Sequence, residues 1–293
     1  MIARLAIIGV GLIGGSLARA LRHAGVVDKI IGCGRSVANL ERALELGVID
    51  CFTQDPARAV RDADMIFLAV PLGAMRDTFT AIKGRLRDEA VITDGGSVKG
   101  SVVADARAVF GQVPARLVPG HPIAGTEHSG VEASFPELYR DRRVILTPLS
   151  ETDPDALDRV TRLWQHCGAQ VTHMDLAHHD RILAATSHLP HMLAFGLVDA
   201  LARRQESDEL FRYAAGGFWD FTRIASSDPV MWRDICLANR EPLGEMLQCF
   251  GDEMRTFATS IRCGDGDRLR EIFQRAKTAR DSYLDGLPPH QGH

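Results

Sequence analysis

The sequence predicts an α/β protein, with a parallel-sheet domain over residues 1–172 and an all-helical domain over residues 173–293. Three observations predict it. Short apolar runs such as Leu5-Ala6-Ile7-Ile8 and Met65-Ile66-Phe67-Leu68 alternate with Gly or Pro turns and amphipathic stretches, the pattern of a parallel sheet covered on both faces. The first of these runs breaks at Gly9, and Gly9, Gly11 and Gly14 give the spacing G-x-G-x-x-G ahead of a helical segment, Ser16 to Ala24. Strand-like runs then cease near Asp175, and long helical stretches take over.

The 293 residues allow one large or two ordinary domains, and 45% hydrophobic with 25% charged residues is ordinary for a globular chain. A net charge of −4 with scattered Lys and Arg offers no case for binding nucleic acid or an anionic membrane surface. Six cysteines, widely spaced and without a C-x-x-C pair, argue against a zinc site and a disulfide framework, so no metal is expected and a reduced, cytoplasmic compartment is. No secretory signal and no apolar stretch of membrane-spanning length is read.

The glycine loop identifies the first domain as a Rossmann-type dinucleotide-binding fold. Gly9 permits the tight turn, Gly11 lets a pyrophosphate approach the backbone, and Gly14 lets helix and strand pack closely. Leu12 and Ile13, between the second and third glycines, are expected beside the cofactor, and the free N–H groups and dipole of the following helix start attract phosphate. Lys29 to Cys33 reads as the second strand. In an NAD-binding fold its end carries an acid for the ribose 2′-hydroxyl, whereas here it reads Cys33-Gly34-Arg35-Ser36. With no acid to repel a 2′-phosphate, Arg35 and Ser36 point to NADP, with NAD still possible; alternatively Arg35 stacks on the adenine or lies in solvent.

Val48-Ile49-Asp50 follows a helical segment, Val37 to Leu46. Asp64 to Val70, ending at Pro71-Leu72-Gly73, and Glu89 to Asp94, ending in Gly95-Gly96-Ser97-Val98-Lys99, read as the fourth and fifth strands. Ligands of such sheets sit outside the carboxyl ends of the strands, so the glycine loop, Val70, Pro71 and Ser97 share one rim. Arg116 to Pro122 reads as one further strand that delivers His121 to that rim. Arg142 to Thr147, a helix near Asp155 to Cys167, and Ala169 to Thr172 complete the domain. Beyond it, helices are expected over Leu176–Leu201, with a kink at Pro190, and over Asp208–Ala215, Val230–Cys236, Glu241–Ile261 and Asp267–Asp285. So much apolar helical surface suggests a homodimer through this half. Leu287 to His293 reads as a frayed tail.

The densest polar cluster is His121-Pro122-Ile123-Ala124-Gly125-Thr126-Glu127-His128. A histidine between Gly and Pro at a strand end is held in one backbone conformation and suits proton transfer near neutral pH, with Ser97 in place to bond its ring; packing alone is the alternative. Thr126 and Glu127 either touch substrate or cap the following turn. In Ser187-His188-Leu189-Pro190-His191 two histidines share a helix face, His188 divided evenly between substrate contact and burial, His191 reading as structural. His178-His179-Asp180 reads as a helix-start cap. Gly216 to Pro229 reads as an aromatic loop in which Arg223 either clamps a carboxylate or pairs with Asp220 or Asp228.

Taken together, the glycine loop, Gly95-Gly96-Ser97-Val98-Lys99, the His121 to Glu127 cluster, Ser187 to His191 and Gly217-Phe218-Trp219-Asp220-Phe221-Thr222-Arg223-Ile224-Ala225 resemble the prephenate/arogenate (cyclohexadienyl) dehydrogenase family over nearly the whole chain. The resemblance implies oxidative decarboxylation of a small cyclohexadienol dicarboxylate in tyrosine biosynthesis. It places His121 on the ring hydroxyl with Ser97 in support, Arg223 on a carboxylate, and Thr126, Glu127, His188 and Gly216 around the pocket. Family members often carry a fused mutase or regulatory domain, which the helical ending near Asp285 does not lead one to expect here. Two other readings stand beside it. One is a two-domain 3-hydroxyacid-type dehydrogenase using Lys99; the other is a dinucleotide sensor without turnover.

Overall fold

In β1 (Ile2–Ile8) successive side chains point to opposite faces, and both faces are apolar: Leu5 and Ile7 on one, Ala6 and Ile8 on the other, all buried. Such a strand must be covered on both sides. The computed structural model, which describes residues 1–126 and 128–285, shows how. β1 is followed by α1 (Leu12–His23), β2 (Val27–Cys33), α2 (Val37–Glu45), β3 (Cys51–Thr53), α3 (Pro56–Val60), β4 (Met65–Leu68), α4 (Met75–Ile82), β5 (Val91–Asp94), α5 (Lys99–Phe110) and β6 (Leu117–Val118). The strands form one parallel sheet in the order β3-β2-β1-β4-β5-β6. The order reverses between β1 and β4, which is where a doubly wound sheet opens a ligand crevice.

One apolar layer joins Leu5, Ile7, Phe67 and Val91 to α1 and to α6 (Pro154–His166). At its centre the fully buried Trp164 meets Phe67 edge-on at 5.6 Å and Tyr139 at 5.0 Å. The other layer joins Ala6, Ile8, Ile66, Leu68 and Ile92 to α3, α4 and α5 through Val60, Phe79 and Val102.

The expected strand from Arg116 to Pro122 is two strands. β6 pairs with β5 in the main sheet. β7 (Gly120–Pro122) starts a second sheet with β8 (Arg143–Leu146) and β9 (Gln170–His173), antiparallel to β8, while β8 and β9 run parallel. Pro119 lies at the break; it has no N–H for a ladder, and its carbonyl accepts from Thr147 N at 3.0 Å.

The helical part opens with α7 (Leu176–Leu183), capped by Asp175, which accepts from His178 N at 2.9 Å. A π-helical turn at Ala184–His188 leads into α8 (Leu189–Ala202). Pro190 supplies no N–H to the helix, and the wider turn lies directly before it. α9 (Ser207–Arg212) follows. Gly216–Thr222, expected as a loop, is helical (α10) and continues into a 3-10 turn at Arg223–Ser226. The glycines here open a helix start, and Phe218 packs its ring 6.0 Å from that of Phe211, which favours the helix over a loop. α11 (Pro229–Ala238) begins at the cap Asp228, which accepts from Met231 N at 2.7 Å.

α12 (Arg240–Cys263) and α13 (Gly266–Asp285) end the described chain. Packing divides the chain into two compact units, residues 1–243 and 244–293, so the helices up to Ala238 belong to the same unit as the sheets. In the second unit Phe257 and Phe273 stack at 5.8 Å, while Leu247, Met254, Ile261, Phe273, Tyr283 and Leu284 are exposed. The tail Leu287 to His293 lies outside the described residues. Among those described, no helix is long and apolar enough to cross a membrane, no cluster of residues could hold a metal ion, and all six cysteines are free.

A Cβ placed on Gly14 would lie 2.1 Å from the Gly9 carbonyl oxygen and 2.8 Å from Ile7 Cγ2. Gly14→Ala is therefore expected to push α1 off β1 at a cost of about 1–3 kcal/mol, read as a lower Tm in a thermal melt; an unchanged Tm contradicts this packing.

Candidate active site

The glycine loop turns at Gly9, whose φ of +101° belongs to glycine and whose Cβ would sit 2.3 Å from the carbonyl oxygen of Ala69. Gly11, by contrast, has open space where a Cβ would be. It is the N-cap of α1 and contributes no side chain, so the N–H groups that open the helix, from Leu12 and Ile13 on, face outward uncapped. Backbone open to approach and an uncapped helix start suit a pyrophosphate, so these residues fit a dinucleotide. Val70 and Pro71 follow β4 at the same end of the sheet.

At the end of β2, Arg35 is exposed and its guanidinium has no ion pair among the described residues. The Ser36 hydroxyl is committed as the N-cap of α2, accepting from Asn39 N at 3.3 Å. An acid does lie near by: burial, and then the carboxylate of Asp55 beyond β3, push the Cys33 thiol up to about 11.

The neighbouring rim is organised by a completely buried ion pair between Lys99 Nζ and Asp94. Lys99 Nζ also donates to the Gly120 carbonyl at 2.6 Å, while Asp94 accepts from Gly96 N at 2.9 Å and from Gly120 N at 3.1 Å. These bonds tie the end of β5, the start of α5 and the start of β7 together, and so place His121 on the rim. Burial holds Lys99 below the usual lysine range, against the pull of Asp94. Its amine is spoken for on both sides and unexposed, so the reading with Lys99 as a catalytic lysine fails.

Ser97 is half-buried, and among the described residues nothing hydrogen-bonds its hydroxyl; the expected bond to His121 is absent. The Nδ1 of His121 instead lies 3.0 Å from His179 Nε2, and His179 Nδ1 lies 2.8 Å from Asp180 Oδ1. Asp180 in turn accepts from Lys99 N at 2.9 Å and Gly100 N at 2.8 Å, across the N-terminus of α5. His179 and Asp180, read from sequence as a helix-start cap, are thus buried site residues; the cap of α7 is Asp175. Burial works to raise Asp180, but its bonds from His179 and the two N–H groups outweigh it and leave the group below the usual carboxylate range. For His121, burial above all, then His179, Lys99 and His188, push the ring well below the ordinary histidine value.

His188, in the π turn, is 1% exposed and stands close enough to His121 to act on its charge. Its Nδ1 lies 3.0 Å from the Asn239 side-chain nitrogen, and its Nε2 is buried without a partner. Burial pushes it down to about 4, so it is neutral. His191 donates from Nδ1 to the Ser187 carbonyl at 2.9 Å and stacks on Trp232 at 3.7 Å, in keeping with its structural reading. Burial above all lowers His191, and Arg223, exposed on the 3-10 turn, is close enough to add to that. The polar groups therefore run from His121 through His188 and His191 to Arg223. Gly216 is exposed at the start of α10, and exposed Thr126 uses its hydroxyl to accept from His128 N at 3.2 Å, the turn-capping alternative. Glu127 lies outside the described residues.

Sequence reasoning missed the roles of His179, Asp180 and Asn239. The adjacent His179-Asp180 pair was a visible signal, since an acid beside a histidine reads equally as a relay. Asn239, 51 residues from His188, offers no local one.

Residues 17–173 match the nucleotide-binding domain of prephenate dehydrogenase and residues 175–275 its dimerization domain. A cyclohexadienyl dehydrogenase of Zymomonas mobilis is 39% identical over 94% of both chains. A prephenate dehydrogenase of Bacillus subtilis is 36% identical over 97% of this chain and 76% of its own. Among solved structures, prephenate dehydrogenase of Aquifex aeolicus, crystallised with hydroxyphenyl propionate and NAD+, superposes with a TM-score of 0.90 at 39% identity, covering 97% of this chain and 99% of that one. The parallel sheet, the open glycine loop and the buried histidine rim thus stand on a chain that belongs to the prephenate dehydrogenase family, oxidoreductases of tyrosine biosynthesis that oxidatively decarboxylate prephenate or arogenate.

Proposed function

We propose that this chain is an NADP-preferring dehydrogenase of prephenate, arogenate or both, with His121 as the base that takes the ring hydroxyl proton. The observation that carries this reading is a neutral, almost buried histidine beside an uncapped nucleotide loop at the carboxyl ends of the strands. A neutral imidazole at pH 7 has the lone pair that the chemistry needs. The bound nicotinamide supplies the hydride acceptor for the hydroxyl-bearing ring carbon. Loss of carbon dioxide then aromatises the ring and its oxygen takes the proton back, so the chain need only position the substrate, hold one proton in passing and balance the charge of a dianion. Arg223 takes a substrate carboxylate, its guanidinium suited to two parallel bonds. Ser97, with its hydroxyl uncommitted, supports the ring hydroxyl; His188, Thr126, Glu127 and Gly216 shape the pocket around the ring and side chain.

For the cofactor, Gly9, Gly11 and Gly14 with Leu12 and Ile13 hold the pyrophosphate, Val70 and Pro71 flank it, and Arg35 meets the 2′-phosphate. Because Ser36 is spent on capping α2, charge recognition falls to Arg35. NAD is the second reading, favoured by Asp55 near Cys33 and by the NAD+ bound to the Aquifex relative. The matched dimerization domain and exposed Trp219, Phe221 and Leu237 support a homodimer through the helical half, divided from the nucleotide-binding domain at 172/173, and the free cysteines support a cytoplasmic location.

Three experiments test these roles. His121→Asn is expected to lower kcat about 10²–10⁴-fold while the KM for the cyclohexadienol stays within a few-fold; a rate near that of the unaltered enzyme overturns the assignment. Steady-state kinetics on the grid of prephenate or arogenate with NAD or NADP gives the preferences, and a sensor without turnover would reduce neither nucleotide. Arg35→Ala should lower the NADP-to-NAD ratio of kcat/KM by about tenfold or more, and an unmoved ratio shows the cofactor assignment to be wrong.

A further inference from the structure

His121 and His188 are held from behind by one scaffold, and its donors and acceptors leave little freedom. Asp180 is anchored by the N–H groups of Lys99 and Gly100, at 2.9 and 2.8 Å. An ionised carboxylate only accepts, so His179 Nδ1, 2.8 Å from Asp180 Oδ1, carries a proton. In the neutral ring His179 Nε2 is then a lone pair. It lies 3.0 Å from His121 Nδ1, which must therefore be the N–H of its own ring, leaving His121 Nε2 as an acceptor.

The second branch runs the other way. The Asn239 side-chain nitrogen donates to the backbone carbonyl of Asp180 at 2.8 Å, and a carbonyl can only accept, which fixes the orientation of the amide. The same nitrogen lies 3.0 Å from His188 Nδ1, so that atom accepts and His188 Nε2 carries the hydrogen. That N–H is buried without a partner in a residue 1% exposed. A buried donor left unmade costs about 1–3 kcal/mol, a cost that a ligand oxygen would remove.

We infer that Asp180 and Asn239 set the two histidines in opposite tautomers, His121 offering a lone pair to the substrate hydroxyl and His188 offering an N–H to a carboxylate or carbonyl oxygen of the same substrate. His179 and Asn239 are the positioning residues. The inference rests on His121 as the proton acceptor. The charged and titratable groups facing His121 are His179 from α7, Lys99 from α5 and His188 from the π turn. With the rings neutral, His121 can take a hydroxyl proton but cannot donate to an anionic or carbonyl oxygen, while His188 can donate to such an oxygen but cannot take a proton.

The direct test is ¹⁵N NMR of the full-length, histidine-labelled enzyme near pH 7.5, with resonances assigned by their loss in His121→Asn and His188→Asn. Protonation at Nδ1 of His121 and at Nε2 of His188 is expected; the same tautomer in both, or a doubly protonated ring at either, overturns the inference. The kinetic test compares His179→Leu with His179→Gln, since glutamine can still donate to Asp180 and accept from His121. The leucine variant is expected to lose about 10²-fold in kcat with KM within threefold, and the glutamine variant to recover at least tenfold of it. An unchanged kcat in His179→Leu, or equal losses in the two variants, contradicts the positioning role. Full activity in His121→Asn would instead remove the proton-acceptor reading and leave the NMR assignments standing.

Discussion

Lys99 and Asp94 are both removed from water, and at their ion pair the end of β5, the start of α5 and, from 26 residues beyond Asp94, the start of β7 meet at one point. Taking two such charges out of water costs several kcal/mol per ion, so the pair is poorly suited to supplying stability. What it supplies is position. Asp94 holds the backbone N–H groups of Gly96 and Gly120, and Lys99 holds the carbonyl of Gly120, so His121 leaves β7 at a set height above the sheet. The same α5 whose first residue is Lys99 presents its N-terminal N–H groups to Asp180, which supports His179 and through it His121. The histidine is thus gripped through its backbone and through its ring, and both grips converge on the start of α5.

Burial has a second consequence. The surroundings that fix His121 also keep its ring neutral, because desolvation and the neighbouring Lys99, His179 and His188 all disfavour a further positive charge. His188 is treated alike. A site that must take a proton and hold an anionic substrate would be poorly served by two charged imidazoles. Arg223 is a cation close enough to His191 to act on its charge. In the proposed assignment, proton acceptance and carboxylate clamping therefore fall to different residues, His121 and Arg223.

The nucleotide half was largely legible because its signals are local. An apolar run, a glycine spacing and a following helix lie within the first 24 residues, and the close approaches at Gly9 and Gly14 are those the spacing implies. The division of the 116–122 strand was not legible, since it depends on Asp94 drawing in the Gly120 N–H from 26 residues away. Gly216 to Thr222 looked like a loop because glycine disfavours helices, a preference that contacts such as Phe211 to Phe218 override. His121 stood out through its Gly-Pro flanks, but its partner did not. Ser97 was the candidate nearest in sequence order along the rim, whereas His179 arrives on a helix that packs against α5 only once the chain is folded. Polar networks between distant elements leave no spacing to read.

The central claim is that His121 accepts the substrate proton as a buried, neutral base. The most direct measurement is the pH dependence of kcat/KM for the cyclohexadienol at saturating dinucleotide. A base must be unprotonated to work, so activity is lost as pH falls through its pKa, and burial places that pKa below the ordinary histidine value of about 6.5. The profile expected is flat through neutrality, with an acid limb whose midpoint lies below 6.5 and which disappears from the residual activity of His121→Asn. A limb centred at or above 6.5, or one that survives unaltered in that variant, would contradict it.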